Sequence, residues 1–87
     1  MTIKKLILKQ LQLYINKQQH QLEELFKKDT TTESQLLAKV KNIHLAHQHI
    51  RKIKFQDEYE YYSREGKLYY ELNGHRIFIA KQNKELP

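Results

Sequence analysis

His44 and His47 stand three residues apart in a helix-forming run, so they share a face and could offer two imidazoles to a metal. The chain has no cysteine, and no further ligand lies at a metal-site spacing, so no metal centre and no cofactor are expected. His47 is expected instead in the seam between two helices, hydrogen-bonded to a neighbour such as Gln18, with His20 and His75 isolated. Glu58 and Glu60 would share a face of an edge strand, where paired acids commonly serve to discourage strand addition. There is no G-x-S-x-G elbow, no P-loop and no glycine-rich dinucleotide turn, and the reading leans away from an enzyme.

Binding chemistry is better represented. Residues 1–56 carry eleven Lys and Arg against four acids, whereas residues 57–87 carry five against six. In an antiparallel helical hairpin the start of the first helix meets the end of the second. This brings Lys4, Lys5 and Lys9 toward Arg51, Lys52 and Lys54, with His49 beside them. Such a cluster attracts phosphate without reading sequence. A second candidate surface is Tyr62, Tyr69, Arg76 and Phe78, which strand alternation places on one sheet face. Aromatics beside a cation can stack on bases, but Glu60 and Glu71 would repel a phosphate chain there, so this face is read as a protein-binding patch.

The elements that must position these residues follow from periodicity. Apolar residues from Ile3 to Phe26 recur with helical period over an arc of roughly 140°, and a first helix is expected over residues 3–28. Thr30 with Glu33, or Thr32 with Gln35, forms a capping box for a second helix over about residues 32–54. Its Leu36, Val40, Ile43, His47 and Ile50 follow a 4-3-4-3 spacing and are expected to face Leu25, Leu22, Gln18, Ile15 and Leu11. A helix-turn-helix over Leu36–Ile53 is rejected: Lys41 stands where an apolar anchor is needed, and no glycine marks a turn.

Tyr59 to Lys81 reads as three antiparallel strands. Asn73-Gly74 between alternating runs predicts a two-residue type I′ turn. That register pairs Leu72 with His75, Tyr70 with Ile77 and Leu68 with Ile79 on the inner face. It pairs Glu71 with Arg76 and Tyr69 with Phe78 on the outer face. The turn at Arg64-Glu65-Gly66-Lys67 admits a two- or a three-residue loop; with Glu65-Gly66 as the loop, Tyr61 joins the Tyr70–Ile77 row and Tyr62 joins Tyr69 and Phe78. Gln82 to Pro87 reads as a frayed tail.

The expected fold is therefore α+β. An antiparallel helical hairpin (about 3–54) packs on a three-stranded antiparallel meander (about 57–81), in the order α-α-β-β-β, as one domain over 1–87. A chain of 87 residues buries only about 60–65% of its unfolded surface. Leu6, Leu13, Leu45 and Ile53 lie off the main stripes and are expected to favour a homodimer or to sit beneath the sheet. Lys9, Gln10 and Gln12 interrupt the N-terminal apolar run, so no signal peptide or membrane span is expected, and with no cysteine a cytoplasmic protein is the reading.

Leu72-Asn-Gly-His-Arg-Ile77 resembles the hairpin ending in Arg-Ile that follows two helices in the bacterial toxin superfamily of ribosome-dependent RNases. The resemblance implies a small RNase toxin as a third function; it is confined to this region, and no catalytic residue carries over. The leading expectation is a small basic, non-catalytic binding protein acting on nucleic acid or a nucleoprotein complex, of the size of phage or mobile-element regulators and inhibitors. The alternative is a purely protein-directed adaptor, antitoxin-like partner or subunit.

Overall fold

Ile3 to Phe26 contains no glycine or proline and is rich in Leu, Lys, Gln and Glu, which lose little side-chain freedom in a helix. In the computed structural model, which describes residues 2–28 and 30–81, this stretch is one helix, α1 (Ile3–Phe26). Thr2 caps it, its Oγ1 accepting the Lys5 backbone N–H at 3.2 Å. Thr31 closes the other end by donating to the Leu25 carbonyl at 2.7 Å. The second helix, α2 (Glu33–Arg51), starts with the Thr32–Gln35 capping box, in which each side chain satisfies the other's backbone N–H at 3.3 Å. Regular helix stops at Arg51, short of the Lys54 expected. It runs on as a wider π-helical turn (Lys52–Gln56) that ends at Asp57 in the left-handed region, φ 56°.

Strands β1 (Tyr62–Arg64), β2 (Lys67–Leu72) and β3 (His75–Lys81) form an antiparallel sheet in that order, so the α-α-β-β-β meander is the fold found. Both turns have the positive φ at both positions that a two-residue loop of this hand needs: Glu65 52° and Gly66 74°, Asn73 48° and Gly74 87°. The register matches expectation for Leu72–His75, Glu71–Arg76, Tyr70–Ile77, Tyr69–Phe78 and Tyr62–Tyr69. It departs at Leu68, which pairs with Ala80 and not with Ile79. One extra residue, Ile79, sits opposite the Leu68–Tyr69 step as a bulge, and both Leu68 and Ile79 are buried. Tyr61 does not extend the inner row. It precedes β1, is exposed, and stacks on Tyr59 with ring centres 6.5 Å apart. Glu58 and Glu60 likewise precede the strand they were expected to occupy.

The core is Ile7, Leu11 and Ile15 of α1, Ala46 of α2, Ile53 of the π turn, and Leu68, Tyr70, Leu72 and Ile79 of the sheet. The helices are antiparallel as expected, but α2 is rotated from the expected seam. Gln18 is buried and accepts a hydrogen bond from the Asn42 side-chain amide at 3.3 Å, and Lys39 donates to Gln21 at 2.6 Å. Val40 and His47, expected in the seam, are exposed. His49 meets Tyr70 of the sheet and Asn42 meets Gln18 of α1, with Ala46 buried, and this orientation leaves Val40 and His47 outward. Of the residues expected to favour a dimer, Ile53 is fully buried and Leu6 packs on the core; Leu45 is half-buried and Leu13 exposed. The expected tail, Gln82 to Pro87, lies outside the described residues. Among the described residues no helix is long and apolar enough to cross a membrane.

Candidate protein-docking face and basic helix end

The outer sheet face assembles all four residues read there from strand alternation. Cross-strand pairing puts Tyr62 of β1 beside Tyr69 of β2, ring centres 5.7 Å apart, and Tyr69 beside Phe78 of β3 at 6.1 Å, near edge-to-face. The Arg76 guanidinium carbon lies 5.3 Å from the centre of the Tyr69 ring, within cation–π range. Tyr62 is 36% and Phe78 43% exposed, so the row is a surface and not a second core. Glu71 pairs in register with Arg76 and supplies an acid beside the cation. At the far edge Phe78, Arg76 and Ile77 meet Gln10, Leu13, Tyr14 and Lys17 of α1 around a hollow of about 240 Å³.

At the other candidate surface the start of α1 meets the end of the π turn that follows α2, as expected, but the charges are partly matched within the molecule. Lys4 Nζ lies 2.9 Å from Asp57 Oδ1, an acid supplied by the left-handed residue that closes the π turn. Lys4 therefore has an internal partner, and the six-cation cluster is reduced by one. Lys5, Lys9, Arg51, Lys52 and Lys54 are exposed. Lys5 sits in the first turn of α1, which carries no acid, against the positive end of the helix dipole.

Beside this end opens a groove of about 600 Å³ that the sequence did not disclose, lined by His49, Lys52, Glu58, Glu60 and Glu71 and by tyrosines including Tyr59, Tyr61 and Tyr70. At its base His49 Nδ1 and Tyr70 Oη lie 2.6 Å apart, with the rings edge-on at 5.8 Å. Burial first, and then the Lys52 charge, lower the His49 pKa, while burial raises that of Tyr70, so both groups are neutral near pH 7. This pair fastens β2 to α2. The signal for it was weak: two residues 21 positions apart, neither in a motif. Among the described residues no group of three or more His, Cys, Asp and Glu is placed to hold a metal ion; His44 and His47 are both exposed.

Comparisons with protein-family models, with curated proteins and with solved structures find no match to the chain.

Proposed function

We propose that this chain is a non-catalytic binding protein whose outer sheet face docks on a protein partner. The observation that carries the reading is the Arg76 guanidinium over the Tyr69 ring, flanked by Tyr62 and Phe78 on an exposed sheet. Tyr, Phe and Arg are the side chains enriched where proteins meet. Rings already ordered by their cross-strand neighbours lose little further freedom on binding, which favours affinity. The Glu71 carboxylate at the same row, and the acids of the adjacent groove, disfavour a phosphate backbone on this side of the molecule.

A second reading rests on the exposed Lys5, Lys9, Arg51, Lys52 and Lys54 at the helix end, which suit an anionic partner such as RNA, DNA or a nucleoprotein complex. Two measurements separate the readings. Capture from host extract, with and without nuclease, is run on the parent chain, on Tyr69→Ala and on Lys5→Glu with Lys52→Glu. Affinity for an arbitrary single-stranded RNA and a DNA duplex is measured at low and moderate salt. The protein-docking reading expects a nuclease-resistant protein that is lost with Tyr69→Ala and kept by the double charge reversal. Nucleic-acid binding that falls steeply with salt and vanishes with the double reversal, while Tyr69→Ala has no effect, transfers the function to the basic end.

A further inference from the structure

Strand β2 outruns its neighbour. The β1–β2 pairing begins at Tyr62–Tyr69, whereas β2 continues to Leu72, so among the described residues its edge away from β3 has no strand beside it past Tyr69. Antiparallel alternation turns the backbone N–H and carbonyl of Glu71 to that open edge, two residues on from the paired Tyr69. Residues 58–61, which lead into β1, line the gap without pairing to β2, and the gap is the groove of about 600 Å³ over the His49–Tyr70 contact. One wall is ordered in advance. Tyr61 is 46% exposed, yet its ring stacks on Tyr59 with 19° between the planes, and Tyr59 packs on the core. A flat aromatic face held in place suits a cation.

Charge selects the sign of the occupant. Three carboxylates, Glu58, Glu60 and Glu71, line the groove against one ammonium, Lys52, on a chain of net charge +6. Among the described residues the two salt bridges, Lys4–Asp57 and His20–Glu24, engage none of these four. Arg76, opposite Glu71 in register, is held over the Tyr69 ring, and His49 stays neutral near pH 7 because burial and Lys52 disfavour its charged form. Spacing selects the kind of cation. Among the described residues no three acids and histidines stand close enough to hold a metal ion, so the carboxylates are spread for a polyatomic cation and not for a point charge.

We infer that this groove receives an arginine side chain carried on an extended segment of the protein partner, the guanidinium lying on the Tyr61 ring and donating to the carboxylates around it. Guanidinium joins the two features that the groove answers: a planar face that stacks on aromatic rings and a fork of N–H donors that matches carboxylates. Lysine has the charge without the plane. The unpaired edge at Glu71 points to a polypeptide and not to a free small cation, since an added strand finds a backbone donor and acceptor there. So does continuity with the outer face, because Tyr62 and Glu71 belong to both surfaces. The inference rests on the reading of that face as a protein-docking surface, and it adds what the partner must present: an arginine at the edge of the contact.

Nuclear magnetic resonance titration of the full isotope-labelled chain with capped pentapeptides Thr-Val-X-Val-Thr, in which X is arginine, lysine or glutamine, tests the site. The arginine peptide should shift the amides of Tyr59, Tyr61, Glu71 and Gly74 saturably. The lysine peptide should bind about threefold more weakly, the stacking share of the attraction, and the glutamine peptide not measurably. Glu60→Gln with Glu71→Gln should weaken the arginine peptide about tenfold, and Tyr61→Ala about threefold. The inference is overturned by the absence of saturable shifts at these amides, by binding indifferent to the Glu60→Gln and Glu71→Gln pair, or by equal affinity for arginine and lysine. Ethylguanidinium bound as tightly as the arginine peptide overturns the assignment to a polypeptide. Tyr69→Ala, which removes the outer face, should leave the affinity for the arginine peptide unchanged. Capture from host extract that is lost with Tyr69→Ala but untouched by Glu60→Gln with Glu71→Gln sinks the groove and spares the docking face. Arginine-peptide binding at the groove with no protein captured through Tyr69 spares the groove and sinks the docking face.

Discussion

The Tyr70 hydroxyl and His49 Nδ1, 2.6 Å apart, join the middle strand to the last turn of α2. One hydrogen bond between neutral partners contributes about 0.5–1.5 kcal/mol, and its loss leaves the imidazole nitrogen partly buried and unmatched. Tyr70→Phe is therefore expected to cost about 1 kcal/mol in urea unfolding with an unchanged m-value.

The same pair sets a pH dependence. His49 is depressed below its ordinary value of about 6.5, so the unfolded chain takes up the proton first. Its contribution is fully present above that value and is lost as pH falls through the folded pKa. Tyr70 is raised, so its contribution holds below about pH 10 and is lost as pH rises through the folded pKa. Melting temperature should fall from neutral to mildly acidic pH, and His49→Gln should flatten that limb. A limb unchanged by His49→Gln would assign it to other groups.

The two turns make opposite predictions for residues at positive φ. At Gly74, φ 87°, an added Cβ meets no neighbouring atom, so Gly74→Ala should cost about 1 kcal/mol through backbone strain alone. At Glu65, φ 52°, a residue poorly suited to the left-handed region already stands in a two-residue turn. Glu65→Asn should stabilise by about 0.5 kcal/mol. Thermal unfolding of both variants checks the pair.

The polar contact in the helix seam is open to a double-mutant cycle. Asn42→Leu leaves the Oε1 of the buried Gln18 side chain without its donor and should cost about 1–2 kcal/mol, whereas adding Gln18→Leu should recover most of it. Additive costs would mean that the hydrogen bond contributes nothing.

What could be read without coordinates depended on whether local chemistry or tertiary packing decided it. Asn73-Gly74 dictates its own turn, and the cross-strand pairs from Leu72–His75 to Tyr69–Phe78 followed from it without any tertiary information. Tyr69, Arg76 and Phe78 of the outer row followed in turn, whereas Tyr62 joined them only through the Glu65-Gly66 loop, one of the two that the sequence admits. The bulge at Ile79 did not, because no glycine marks it; the only hint is the unbroken apolar run Ile77-Phe78-Ile79-Ala80, which interrupts alternation. The rotation of α2 was hidden for a different reason. Two half-faces of that helix are usable, and the apolar row Leu36, Val40, Ile43 and Ile50 is the more regular of them. In the fold Ala46 is buried and Ile43 and Ile50 still pack on the core, while His49 meets Tyr70 and Val40 is left exposed. The Lys4–Asp57 pair depended on a left-handed residue closing a π turn, which no local signal announced.

Photo-crosslinking from the outer sheet face tests the central claim most directly. Phe78→benzoylphenylalanine keeps an aromatic ring at a site already 43% exposed, and the exposed Gln48 of α2 serves as the control position. After irradiation in host extract, the predicted result is a discrete protein adduct from position 78, absent from position 48, insensitive to nuclease and lost when Tyr69→Ala is added. Adducts that appear equally at both positions, or that disappear with nuclease and persist in Tyr69→Ala, would contradict the assignment of this face as the docking surface.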